Sequence, residues 1–74
     1  MEIRIPALGM GMTEGALTGW LVEDGGQVKA GDLLYSLETN KTVQEIEAPA
    51  DGVLRILVEA GQTYGVGELI ARLD

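Results

Sequence analysis

The stretch from Trp20 to Glu38, WLVEDGGQVKAGDLLYSLE, returns 36 positions later as ILVEAGQTYGVGELIARLD, Ile56 to Asp74. Seven of the 19 aligned pairs are identical: Leu21/Leu57, Val22/Val58, Glu23/Glu59, Gly25/Gly61, Gly31/Gly67, Leu33/Leu69 and Leu37/Leu73. Three others, Asp32/Glu68, Leu34/Ile70 and Glu38/Asp74, keep their chemical type. One residue of slippage before Trp20 then sets Gly15-Ala16-Leu17 over Gly52-Val53-Leu54. Self-similarity at a fixed offset marks one folding unit used twice. The chain is therefore two similar halves, with residues 39–42 near their junction.

Each half reads as strand, turn, strand. Leu54-Arg55-Ile56-Leu57-Val58 has apolar residues at 54, 56 and 58, and Leu69-Ile70-Ala71-Arg72-Leu73 has them at 69, 71 and 73, the period of two expected of half-buried strands. No window sustains a helical stripe with caps. The 11 glycines fall between the apolar runs, as in Asp24-Gly25-Gly26, Ala30-Gly31 and Ala60-Gly61, where the chain reverses or needs positive φ. Pro6 closes the short run Glu2 to Ile5, and Pro49 closes Val43 to Ala48, so both sit at strand margins. The fold class that follows is all-β: a flattened barrel or sandwich of two antiparallel sheets, about four strands each, with a pseudo-two-fold axis relating the halves.

Length and composition remove most function classes. With 74 residues the chain is expected to form one domain, 1–74, since a chain this short buries only about 60% of its unfolded surface. It has no Cys and no His, which leaves neither a disulfide staple nor a zinc site. An enzyme reading lacks groups as well: Ser36 is the only serine, it has no Gly-x-Ser-x-Gly setting, and no histidine can serve as its base. The formal charge of −7 repels phosphate backbones and anionic lipid, so nucleic acid is not an expected partner. Apolar runs such as Ile56-Leu57-Val58 are far short of the roughly 20 residues a membrane helix needs. The start MEIRIPALG has no basic region followed by an apolar one, and the absence of Cys fits a reducing compartment. The expectation is a cytoplasmic, monomeric domain.

The junction concentrates the remaining interest. Between Leu33–Glu38 and Val43–Ala48 stand four residues, Thr39-Asn40-Lys41-Thr42, the size of a β-turn with Asn40 and Lys41 at its centre. If the halves are symmetry-related, Glu38 corresponds to Asp74, which puts this turn at one pole and the chain ends at the other. A turn lysine is ordinarily a solvated surface residue. It can also offer its ε-amine to a modifying enzyme, and its stem plus an acyl amide makes a long flexible arm. Glu38, Glu45 and Glu47 are expected to surround it as a solvated acidic rim.

The chain resembles the lipoyl domains of dihydrolipoamide acyltransferase components of 2-oxo acid dehydrogenase complexes, within the biotinyl/lipoyl attachment family. The likeness runs through Ile5-Pro6-Ala7-Leu8-Gly9 and Met12-Thr13-Glu14-Gly15, then Trp20 to Gly25 with Val28 to Asp32, then Glu45 to Val53 with its Ala48-Pro49 exit. In that family the lysine of an E-T-D-K-A hairpin carries lipoic acid in amide linkage. Here the motif reads Glu38-Thr39-Asn40-Lys41-Thr42: Glu38, Thr39 and Lys41 match, whereas Asn40 replaces Asp and Thr42 replaces Ala. The resemblance implies a non-catalytic carrier with lipoic acid on Lys41, flanked by recognition residues Glu38, Thr39, Asn40 and Thr42. It implies as partners a lipoate ligase or lipoyl transferase, a thiamine-dependent 2-oxo acid decarboxylase, the acyltransferase catalytic domain and dihydrolipoamide dehydrogenase. In the family the residues flanking the arm are read by partner enzymes as well as by the ligase, so the resemblance implies that the neutral Asn40 changes partner choice while attachment to Lys41 survives.

Alternatives stand beside this reading. Biotinyl domains share the fold and the tip lysine but flank it with methionines, which are absent here. Glycine-cleavage carriers also present a lipoyl-lysine but are longer and carry helical segments. An unmodified interaction module of the same fold is the third alternative. Gly9-Met10-Gly11-Met12-Thr13-Glu14-Gly15 spaces its glycines wrongly for a phosphate loop and reads as a surface loop beside the hairpin, with contact to partners near the arm as the other reading. Trp20 aligns with Ile56 and reads as core or half-buried packing.

Overall fold

A computed structural model describes residues 1–39 and 42–74. Among these described residues eight strands follow in order: β1 (Glu2–Arg4), β2 (Glu14–Trp20), β3 (Gln27–Val28), β4 (Leu33–Glu38), β5 (Val43–Glu47), β6 (Gly52–Ile56), β7 (Gln62–Gly65) and β8 (Leu69–Leu73). They form two four-stranded sheets, ordered β1-β8-β6-β3 and β5-β4-β2-β7, with every pairing antiparallel. The expected two-sheet architecture is present, and among the described residues there is no helix.

The repeat governs the pairing. Ala16 lies opposite Glu38 and Leu17 opposite Leu37 in one sheet; in the other, Leu54 lies opposite Leu73, and Val53 and Asp74 exchange both backbone hydrogen bonds at 2.9 Å. Glu38 and Asp74 thus hold equivalent places in different sheets. The N-terminus joins Asp74's sheet, where the Met1 ammonium donates to the Leu73 carbonyl at 2.8 Å. Turn bonds repeat too, and they cross between halves: Gly25 N donates to Leu54 O at 2.7 Å, and Gly61 N donates to Leu17 O at 2.6 Å. Gly25 and Gly61 have φ of 83° and 90°, and the other identical glycine pair, Gly31 and Gly67, has 93° and 88°. A Cβ is strained in that region, which is why these glycines appear in both halves.

Each sheet draws strands from both halves. Its inner strands come from one half, β2 and β4 or β6 and β8, while the flanking strands come from the other, β5 and β7 or β1 and β3. Neither half can complete a sheet alone.

The core contains Ile3, Ile5, Leu17, Val28, Leu34, Tyr35, Leu37, Ala48, Leu54, Ile70, Ala71 and Leu73, and among the described residues no charged or strongly polar one is buried. Strict alternation fails at two places. In β8 both Ile70 and Ala71 are buried beside Leu73, with Leu69 half-buried; in β4 their counterparts Leu34 and Tyr35 are both buried. The cause is a pair of matching bulges. Leu33 and Tyr35 face consecutive partners, Glu47 and Ile46, leaving Leu34 extra, and Leu69 and Ala71 face Arg4 and Ile3, leaving Ile70 extra. A bulged residue and its neighbour can both turn to one side. The expected strand through Val58 also ends earlier, at Ile56, with Ile56 and Val58 half-buried. Trp20 is half-buried as expected, set edge-on to Tyr35 at 5.4 Å between ring centroids, with its indole N–H donating to the Val58 carbonyl at 3.2 Å.

Candidate functional site

The site is the end of the β4–β5 hairpin. Glu38 and Val43 are the last paired residues, so four residues make the connection, as the sequence indicates. Asn40 and Lys41 lie outside the described residues. Their neighbours close the hairpin beneath them: Thr39 N donates to Thr42 O at 2.8 Å, and Thr42 N donates to the Thr39 hydroxyl at 3.3 Å. That hydroxyl also donates to Thr42 O at 3.3 Å. A threonine here thus clamps the turn from its side chain as well as its backbone. Thr42 is exposed and Thr39 half-buried, and Val43 is left 58% exposed.

A second chain segment comes up against this end. The connection from β1 to β2 folds back on itself, with Met12 N donating to Gly9 O at 3.3 Å and Leu8 N donating to the Met12 sulfur at 3.2 Å. Gly11, with φ of 80°, allows the reversal. The loop and the hairpin enclose two depressions of about 420 Å³ each. One is lined by Leu8 to Met12 together with Thr39 and Thr42. The other is lined by Gly11 to Ala16, Glu38, Thr39 and Thr63. Gly11, Met12 and Thr39 belong to both and form the divide between them. Gly9 to Thr13 is thus a surface loop beside the hairpin, whereas Glu14 and Gly15 already belong to β2 and Gly15 is buried.

The acidic rim differs from expectation. Glu38 adjoins the hairpin end, but Glu45 lies opposite Ser36 and Glu47 opposite Leu33. Glu47 lies four strand steps beyond Val43, a distance of about 14 Å. Glu14, from the start of β2, takes the nearby acidic position instead. Sequence distance misled for Glu47 because β5 runs away from the turn, and Glu14 was hidden because only the β2–β4 pairing brings it alongside. Charge is divided between the sheets all the same. The β5-β4-β2-β7 strands carry Glu14, Glu38, Glu45 and Glu47 and no basic residue, while Arg4, Arg55 and Arg72 lie on β1, β6 and β8. At the chain termini, hydrogen bonds from Arg72 and Arg55 hold the Asp74 carboxyl below its ordinary range, and Arg4 does the same for Glu2.

The family model described as "Biotin-requiring enzyme", the biotin/lipoyl family, matches residues 1–73. The dihydrolipoyllysine-residue acetyltransferase component of the pyruvate dehydrogenase complex of Zymomonas mobilis is 45% identical over 73 residues, which cover 96% of this chain and 17% of that protein. The dihydrolipoyllysine-residue succinyltransferase component of the 2-oxoglutarate dehydrogenase complex of Bacillus subtilis is 38% identical over 74 residues, 99% of this chain and 18% of that protein. The chain therefore spans less than a fifth of the length of these relatives. Among solved structures, the lipoyl domain of the 2-oxoglutarate dehydrogenase complex of Azotobacter vinelandii superposes with a TM-score of 0.82 at 33% identity, covering 100% of this chain and 95% of that one.

Proposed function

This chain belongs to the biotin/lipoyl family, and from that premise we propose that it is a lipoyl carrier domain whose Lys41 bears lipoic acid in amide linkage. The observation that carries the reading is the likeness, at a TM-score of 0.82 over the whole chain, to a lipoyl domain. The acyltransferase components among its sequence relatives point the same way. The hairpin end suits the group: the Thr39–Thr42 bonds close the chain on either side of residues 40 and 41. When bound, the dithiolane supplies a disulfide that accepts an acyl group and a dithiol form that carries reducing equivalents.

The protein's own residues supply position and recognition. Amide formation removes the Lys41 charge and takes the formal net charge from −7 to −8. Glu14 and Glu38 then stand beside a neutral arm, favouring basic docking surfaces on partners. Those partners are a lipoate ligase or transferase, a thiamine-dependent 2-oxo acid decarboxylase, an acyltransferase catalytic domain and dihydrolipoamide dehydrogenase. Tethering replaces free diffusion between their active sites by an effective concentration in the millimolar range. Asn40 and Thr42, with Glu38 and Thr39, flank the arm where those enzymes approach.

Intact-mass spectrometry after coexpression with a lipoate ligase tests the proposal. One lipoyl amide is expected, lost in Lys41→Arg. A biotinyl mass on Lys41 would replace this reading with the biotinyl one, and an unmodified chain would leave an interaction module.

A further inference from the structure

The geometry points to a resting seat for the dithiolane ring in the depression between Leu8–Met12 and the hairpin end, an inference that rests on the lipoyl reading of Lys41. The apolar residues Leu8, Met10 and Met12 line this space of about 420 Å³ together with Thr39 and Thr42. Volumes of this order hold small organic ligands. Thr42 follows Lys41 directly in the chain and Thr39 precedes Asn40, so two residues that line the seat flank the attachment position in sequence.

The methionines differ in a way that matters. Met12 is half-buried against the core and anchored through its sulfur by the Leu8 N–H. Met10 is fully exposed. An unbranched thioether adapts to irregular apolar shapes, so Met10 is free to close over a ring that rests against Met12. The neighbouring depression shares Met12 but is also lined by the carboxylates of Glu14 and Glu38. A neutral disulfide ring therefore prefers the methionine side, since burying it there desolvates no charge. Tethering makes weak contact sufficient. At an effective concentration in the millimolar range, an intrinsic dissociation constant near 1 mM fills the seat about half the time.

Occupancy would hold the disulfide back from small reductants while leaving it available to a partner that displaces the loop. The test uses the lipoylated chain, verified by mass, with methyl-labelled methionine. Met1 is a built-in control, because its ammonium is bonded to Leu73 in the other sheet. Lipoylation is expected to move the Met10 and Met12 methyl resonances and leave that of Met1 in place. Met10→Gln, at a fully exposed position that does not threaten folding, is expected to speed reduction of the lipoyl disulfide by dithiothreitol about twofold, the gain from emptying a half-filled seat. A lipoylated chain with unmoved Met10 and Met12 signals and an unchanged reduction rate overturns the seat and leaves the carrier reading intact. A chain that gains no lipoyl mass overturns the carrier reading and the seat together.

Discussion

Replacing Leu54 by alanine tests whether the two sheets share one core. Leu54 is fully buried in β6, and its repeat partner Leu17 is equally buried in β2. Burial of this completeness places the cost of the cavity at about 3 kcal/mol, toward the lower end of Leu→Ala losses in sealed cores. At roughly 0.05–0.15 kcal/mol per residue, a domain of 74 residues has about 4–11 kcal/mol to lose. The variant should therefore remain folded but lose a large share of its stability. With a urea m-value of about 1 kcal/mol/M, the midpoint falls by about 3 M. Unfolding is followed by far-ultraviolet circular dichroism and by Trp20 fluorescence. Trp20 belongs to β2, in the sheet that does not contain Leu54. Because each sheet uses strands from both halves, the two probes should shift together. A Trp20 transition that stays in place while the dichroism transition falls would refute the shared core. A total loss below about 1 kcal/mol would show that Leu54 is not sealed in as described.

Gly15→Ala should cost about 1–2 kcal/mol in urea unfolding, because the new methyl meets Leu37 Cδ1 at 2.9 Å and Met12 Cε at 3.1 Å, and the fully buried Leu37 cannot move aside freely. An unchanged midpoint would contradict that packing. Burial pushes the Tyr35 hydroxyl up to about 12 from 10. A raised folded-state pKa gives stability that is complete below pH 10 and lost between about pH 10 and 12, at most about 3 kcal/mol, and Tyr35→Phe should remove this alkaline loss from a series of urea melts. Asp74 and Glu2 have lowered folded-state pKa values, so their contribution is present above the ordinary 3.8 and 4.5 and fades as pH falls below them. Both are exposed surface groups, so added salt should shrink this acid-side loss in thermal melts, and a salt-independent loss would count against the two carboxylates as its source.

Much of this fold was legible because periodicity and turn chemistry are local. Leu33–Glu38 is the observed β4 to the residue, and Val43–Ala48 differs from β5 only at Ala48. The identical glycine pairs Gly25/Gly61 and Gly31/Gly67 are positive-φ positions, as their placement between apolar runs implied. The hairpin end was legible for the same reason: Thr39 and Thr42 close a turn whose length is set by the strands on either side. Leu34 and Ile70 were not legible as bulges, because an extra residue in one strand shows only against its partner's register. Glu47 was misplaced, and Glu14 overlooked, for an equally non-local reason. Their distance from the hairpin end depends on strand direction and on which strand lies alongside.

Taken by itself, the sequence determined that this chain is a duplicated β unit, where its turns fall, and that one lysine stands in the turn joining the halves. Side-chain period, glycine placement and the repeat are properties of short segments, and they persist whatever those segments pack against. Only the tertiary structure decided that each half lends its β1–β3 or β5–β7 pair to flank the other's inner strands. It also decided that the Leu8–Met12 loop and the residues Thr39 and Thr42 line one depression. Strand pairing across the repeat is a choice between nearly identical partners. What settles it is the burial of both apolar faces at once, a condition that no segment satisfies alone.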